Sequence, residues 1–373
     1  MKKKLSVLLT LLIVFSICIF PIDSHAAGKV NITKSEINKI VSMEYKEPKN
    51  IILMIGDGMG PNDIAITEKY GKGLFAFGLA MNQIKNTGFS TTSSYGGAVT
   101  DSAAGGTALA TGVKTYNGVV GLSPKGEKLT NISELARSKG KKVGIVTNDE
   151  ITGATPSAFV CHRYSRTDTA ALVKDFLSFK PDVLIGQGKG LFSARDLNGV
   201  AYADTYSKFS RVIKQDPKKT KPFIGVFSED FLQDKSSNML ANCTEIALNR
   251  LNGNKEGFFL MVENAGTDVF GHNKLIKGKM NTVITFDRAV ATVLKFMKNN
   301  PDTLLIITSD HETGGVQLPK SKNGISNSLF TTNDHTGINV RTFAVGKGSE
   351  YFNGKTVDNT DIAKYIINVI NGK

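Results

Sequence analysis

Continuous apolar runs recur along the chain, at 50–55 (NIILMI), 142–147 (KVGIVT), 182–186 (DVLIG), 222–227 (PFIGVF), 258–262 (FFLMV), 303–308 (TLLIIT) and 340–345 (VRTFAV). Unbroken rather than alternating hydrophobicity over such short spans marks strands covered on both faces, as in a parallel sheet. A further strand is expected at 85–93. Between the runs, helices are expected over 61–70, 102–112, 131–139, 167–179, 236–252, 280–299 and 359–371, with a weaker signal near 203–214. Local residues set some ends: Thr130 is the expected N-cap of 131–139, which Gly140 closes, and Thr155 the expected N-cap of a helix with Pro156 in its first turn. The alternation predicts an α/β fold, a mostly parallel central sheet with helices on both faces, built by one domain over 50–373. Residues 27–49 are polar and are expected to form a loosely docked N-terminal arm.

Residues 1–26 stand outside this pattern. Lys2-Lys3-Lys4, an apolar stretch over 5–20 and Ser24-His25-Ala26 read as a secretory signal peptide cleaved near Ala26. The apolar stretch ends at Pro21 and is short for a membrane span. Ile17 before Cys18 is the wrong residue for a lipoprotein signal, and no other stretch is apolar enough to cross a bilayer. The mature protein is therefore expected to be secreted: extracellular, cell-wall associated or periplasmic. Loss of Lys2, Lys3, Lys4 and Asp23 takes the formal charge from +13 to +11. That surface favours anionic substrates and attraction to a cell wall or membrane surface. Nucleic acid is not expected as a specific partner, because the lysines are scattered and there is no Trp. Cys161 and Cys243 make no disulfide framework and are expected as buried thiols.

Residues able to bind metal follow the apolar runs. Asp57 comes after 50–55 in a glycine-rich turn, and Glu263 comes after 258–262. Asp268 and His272 lie a few residues further, in an expected loop; Asp310-His311 follow 303–308, and Asp334-His335 precede 340–345. Each piece alone is commonplace, either a tight βα turn or a surface Asp-His pair. Ligands of parallel α/β sheets, however, bind beyond the carboxyl ends of the strands, so Asp57, Glu263 and Asp310-His311 should gather at one edge. Three of the four mature histidines fall in these segments. The fourth, His162, reads as a core or supporting histidine. Ser102 starts a small-residue helix, where a serine can simply cap the backbone. Beside this many ligands its hydroxyl becomes a candidate nucleophile, at a helix end that favours anions.

The ordered set IGDGMG, TDSAAGGTALATGVKTYNG, ATPSAFVCHRYSR, MVENAGTDVFGH, TSDHE and DHTG resembles the secreted bacterial alkaline phosphatases, over nearly the whole mature chain. The resemblance implies a metal-dependent phosphomonoester hydrolase acting through a phosphoserine at Ser102. It implies that Asp268, His272 and His335 hold a first zinc ion beside the attacking water. Asp57, Asp310 and His311 would hold a second zinc ion at the serine oxygen. Asp57, Thr155 and Glu263 would form a third site, for magnesium, and Arg166, steadied by Asp101, would grip the phosphate. The residue chemistry agrees with these roles. Mixed His/Asp ligation suits zinc, an all-oxygen set suits magnesium, and two metals about 4 Å apart can serve the entering and leaving oxygens of an in-line displacement. Arginine offers phosphate a planar fork that lysine cannot.

The chain departs from the family pattern in three ways. Gly153 stands where relatives often carry Asp or His near the third metal, and Val269 where many carry Lys or His near the phosphate. The third site is therefore expected to be weak, differently occupied or empty. Only 23 residues separate His311 from His335, so the crown-like insertion is expected to be reduced to a loop over 315–333, and either a monomer or a homodimer fits. Small phosphomonoesters are the expected substrates. The alternative function is a phosphodiesterase of the same superfamily. A sulfatase is excluded by the missing C/S-x-P-x-R setting, and a non-catalytic metal or phosphate binder fits poorly with an intact nucleophile and ligand set.

Overall fold

The computed structural model describes residues 30–193, 195–205, 208, 209, 211, 221–227 and 238–373. The expected signal peptide, most of the helix near 203–214 and the start of the helix expected at 236 lie outside the described residues. The strands are β1 (Asn50–Gly56), β2 (Asn86–Thr91), β3 (Lys142–Glu150), β4 (Val183–Gln187), β5 (Ala201–Ala203) and β6 (Phe223–Phe227). They continue as β7 (Phe258–Asn264), β8 (Thr303–Thr308), β9 (Glu312–Thr313), β10 (His335–Thr336), β11 (Val340–Val345) and β12 (Thr356–Asp358). Ten of them form one sheet in the order β12-β2-β11-β8-β1-β7-β3-β4-β6-β5, and β9 pairs with β10 apart from it. Every neighbouring pair in the large sheet is parallel except the two that β11 makes, with β2 and β8.

The unbroken apolar runs have a simple cause. Ile52 and Met54 of β1 pack on one face of the sheet, while Ile51, Leu53 and Ile55 pack on the other. The first face carries the helices Met239–Leu251 and Ile276–Met297; the second carries Ser102–Thr111, Ile132–Ser138, Thr169–Phe179 and Asn359–Ile370. A strand sandwiched this way has no side left for polar residues.

Several local expectations are corrected. Helix Ile132–Ser138 is capped by Asn131 in a reciprocal box with Glu134, not by Thr130. The helix Ala154–Ala158 has Gly153 as its N-cap, so Thr155 lies inside it. The arm at 27–49 holds a helix, Lys34–Ile40, capped by Thr33, and Ile32, Ile37 and Ile40 are buried in the first core; its polarity is that of an exposed face only. Asp268 and His272 sit in a helix, Gly266–His272, rather than a loop. The segment 315–333 is a loop with two short turns, pinned by Val316, Leu329 and Phe330 against Ile66, Ile276 and Met280. Cys161 and Cys243 are both buried and free.

One ion pair ties this frame to the edge where the ligands lie. Lys279 and Asp63 are fully buried, with Nζ 2.8 Å from Asp63 Oδ2. The same ammonium donates to the carbonyls of Thr313 at 2.5 Å and Gly58 at 3.4 Å. Lys279→Met would strand Asp63 without its cation, and should lower the unfolding free energy by about 3–5 kcal/mol in a urea titration. A loss below about 1 kcal/mol would mean that the pair is dispensable.

Candidate active site

The sheet register brings the candidate metal-binding residues together. Glu263 is level with Ile55 of β1 and with Thr147 of β3, and Thr308 is level with Ile55 from the other side. Asp57 and Asp310 follow two residues beyond Ile55 and Thr308, so both emerge at the same carboxyl edge. Ser309 links their loops: its Oγ accepts from Met59 N at 3.0 Å and lies 2.5 Å from the Gly56 carbonyl. His335 arrives from β10, which pairs with β9 and precedes the reversed strand β11.

Ser102 is the first residue of its helix, and the cap is Asp101, whose Oδ1 accepts from Ala104 N at 2.9 Å. The capping role that a serine could have filled is therefore taken. Its hydroxyl is buried and lies 3.2 Å from His311 Nε2. Gly105 permits this approach, since a Cβ there would stand 3.1 Å from the Asp310 carbonyl oxygen.

Two groups of ligands converge on that hydroxyl. In the first, His272 Nε2 and His335 Nε2 lie 3.3 and 3.4 Å from Asp268 Oδ1 and 3.1 Å from each other. The helix explains half of this, because residues i and i+4 share one face. The second group is Asp57, Asp310 and His311. Asp57 Oδ1 and Asp310 Oδ2 are 3.4 and 3.3 Å from His311 Nε2, yet neither buried oxygen has a hydrogen-bond partner. His311 also belongs to a potential ligand cluster with Asp268 and His335, so the two groups adjoin.

The tautomers are set from behind. His272 Nδ1 donates to the Asn333 carbonyl at 2.7 Å, and His335 Nδ1 to the Thr100 carbonyl at 2.8 Å. Thr313 Oγ1 donates to Asp268 Oδ1 at 2.5 Å and so can accept from His311 Nδ1 at 3.2 Å. Each Nε2 lone pair then faces the cluster, as metal ligation requires. Orphaned carboxylate oxygens and converging imidazole lone pairs are a donor set that fits divalent cations.

Without a cation several of these groups hold an extra proton, which a bound metal would displace. Burial, reinforced by Asp268, raises Asp310 to about 7, and burial with Asp310 raises Asp57 well above the carboxylate range. Burial and the neighbouring His335 hold His311 down to about 3, so it is neutral. The Asp268 hydrogen bond raises His272 to about 9. At Asp268 burial pushes up, but the hydrogen bonds from His272 and His335 prevail and keep it ionised.

The remaining expected residues lie alongside. Thr155 Oγ1 is 3.5 Å from Asp57 Oδ2, and Glu263 is fully buried with Oε2 accepting from Thr147 Oγ1 at 2.5 Å. Arg166 donates to Asp101 Oδ2 at 3.2 Å, and that oxygen also accepts from Gly118 N. A cavity of about 530 Å³ opens onto Ser102, Asp101, Arg166, Asp268, His272 and His335, with Val99, Thr100, Asn117 and Asp334 completing the wall. Val269 beside it is exposed. His162 is apart from all this, bonded to the Gly121 carbonyl and Glu134. Sequence reasoning missed Thr313, Ser309, Lys279 and Asp149, none of which carries a spacing signal of its own.

The sequence model of the alkaline phosphatase family matches residues 48–175 and 185–326. Alkaline phosphatase 4 of Bacillus subtilis (strain 168) is 31% identical over 87% of this chain and 89% of its own length. The alkaline phosphatase of Escherichia coli (strain K12) is 28% identical, covering 86% of each. Among solved structures, the cold-active alkaline phosphatase of the psychrophile Shewanella sp. superposes with a TM-score of 0.78 at 26% identity, covering 86% of this chain and 99% of that one. The alkaline phosphatase of the Antarctic bacterium TAB5 gives 0.77 at 29%, covering 88% and 99%. Fold and sequence thus agree, and the chain belongs to the alkaline phosphatase family.

Proposed function

We propose that this protein hydrolyses phosphate monoesters to alcohol and phosphate, with Ser102 as the nucleophile between two zinc sites. The observation that carries the reading is the buried Ser102 hydroxyl, 3.2 Å from the neutral His311 and beside two unpartnered carboxylate oxygens. Asp268, His272 and His335 would hold one zinc ion and Asp57, Asp310 and His311 the other. Zinc bound there would supply Lewis acidity, lowering the pKa of a hydroxyl or water and offsetting charge on the entering and leaving oxygens. Asp57, Thr155 and Glu263 would hold a third cation, magnesium; variants of the TAB5 enzyme are described with Mg in its M3 site.

The chain's own residues divide the work in a definite way. Ser102 Oγ attacks phosphorus, its proton leaves to solvent, and the bond to the ester oxygen breaks, that oxygen taking a proton from solvent to depart as the alcohol. Water then attacks the phosphoserine, the bond to Ser102 Oγ breaks, a proton of the water restores the hydroxyl, and phosphate is freed. Arg166 bonds phosphate oxygens through its fork, and Asp101 fixes that fork from behind. The unpaired backbone N–H groups at the start of helix Ser102–Thr111 favour the same anion. The reading includes export with cleavage near Ala26 and a monomer or homodimer. Among the described residues no helix is long and apolar enough to cross a membrane.

The test is hydrolysis of p-nitrophenyl phosphate beside bis-p-nitrophenyl phosphate by the zinc-loaded mature protein. The monoester should be preferred in kcat/KM by about a hundredfold or more. Preference for the diester would move the function to a phosphodiesterase. No turnover of either with two metals bound would leave a binding protein.

A further inference from the structure

Resting on that reading, we infer that Asp149 is a further carboxylate of the third cation site, occupying the space that a side chain at position 153 would need. β3 runs on through Asp149 to Glu150, and the chain then turns back so that Gly153 N donates to the Glu150 carbonyl at 2.8 Å. A Cβ on Gly153 would stand 2.7 Å from Asp149 Oδ2 and 2.9 Å from that carbonyl. The glycine is thus the residue that makes room for the Asp149 carboxylate.

Asp149 is joined to Glu263 through one hydroxyl. Thr147 Oγ1 donates to Glu263 Oε2 at 2.5 Å and accepts from Asp149 N at 2.9 Å. Among the described residues no Lys or Arg forms an ion pair with Asp57, Glu263 or Asp149, and Arg166 is committed to Asp101. Thr155 touches Asp57 at 3.5 Å and Thr147 joins Glu263 to the Asp149 backbone, so a mostly buried chain of oxygens that includes three carboxylates leads to the turn at Gly153 without a side-chain cation. An oxygen-only set of this charge selects a hard divalent ion such as Mg2+ or Mn2+. Considered alone, Gly153 predicts a weak or empty site; together with Asp149 it predicts a different arrangement of ligands with ordinary affinity.

The experiment is titration of the zinc-loaded mature protein with MgCl2 by calorimetry and with MnCl2 by electron paramagnetic resonance, with zinc content measured in parallel. Asp149→Asn should weaken third-cation binding tenfold or more, at an unchanged two zinc per chain. The double variant Asp149→Ala with Gly153→Asp, which returns a carboxylate from the other side of the turn, should recover most of that affinity. Glu263→Gln must lose the third cation too; binding like wild type would place the ion elsewhere and overturn the assignment. An Asp149→Asn protein that binds Mg2+ within twofold of wild type, or a wild type that binds no third cation, overturns it as well. These failures leave zinc content and monoester turnover of the wild type intact. Failure of the underlying reading would instead appear as loss of those two.

Discussion

Ser102→Ala should lower kcat for phosphate monoesters by about 10⁴-fold or more, and acid-quenched enzyme should carry no covalent phosphate. Zinc content should be unchanged, because the side-chain partner of Ser102 Oγ, His311 Nε2, keeps its other contacts with Asp57 and Asp310. Two features of the fold make the effect large. Asp101 already caps the helix, so removing the hydroxyl costs the scaffold little. The hydroxyl is also buried beside the carboxylate oxygens, where a solvent molecule is a poor substitute for an oriented nucleophile. Residual turnover within tenfold of wild type, or an undiminished phosphoenzyme signal, would show that another group attacks phosphorus.

Chelating the metals should abolish turnover and leave a protein whose stability falls as pH rises between about 6.5 and 9. The sign follows from the raised carboxylates. Asp310 at about 7, Glu263 at about 8 and the strongly raised Asp57 have folded values above their unfolded ones. Such groups stabilise the fold while protonated, and that contribution is lost as pH climbs through the folded value. His272 at about 9 and the raised His335 act in the same direction. His311 is opposite in sign, but its contribution is lost below its ordinary 6.5, outside this window, and the lowered Asp268 matters only in acid. The chelated protein should lose on the order of 5 °C in Tm from pH 6.5 to 9, whereas the zinc-loaded protein, whose ligands are ionised throughout, should show little of this slope. Thermal melts with and without chelator decide it. A flat profile in the chelated protein would mean that burial and neighbouring charge do not keep these carboxylates protonated.

Much of this was legible along the chain, because burial on both faces leaves a strand no choice but continuous hydrophobicity. The runs at 303–308 and 340–345 coincide with β8 and β11, and Asp57, Glu263 and Asp310, which follow three of the parallel runs, lie at the expected edge. What was not legible depends on partners distant in sequence. Lys279 lies in the charged start of an amphipathic helix, and nothing local marks it as the cation for Asp63, 216 positions away. Asn131 outcompeted Thr130 as a cap because Glu134 could close the box only one residue later. The two-residue strands β9 and β10 are too short to carry any period. Asp149 was hidden for a different reason: its meaning lies in a contact across a turn, and only the three-dimensional course of 149–153 shows why the glycine is there.

The reversed course of β11 bears on how the molecule matures. His335 reaches the carboxyl edge only because the chain enters β11 from that side, and β11 must then insert between β2 and β8. These neighbours lie about 250 and about 40 positions earlier in the chain, so closing this seam is a long-range step of the kind that comes slowly in folding. A chain in which this seam is still open can present Asp57, Ser102 and Asp268 in order and yet lack His335 beside them. With the export proposed above, esters on the side of the membrane where the chain is made should be spared until that seam closes.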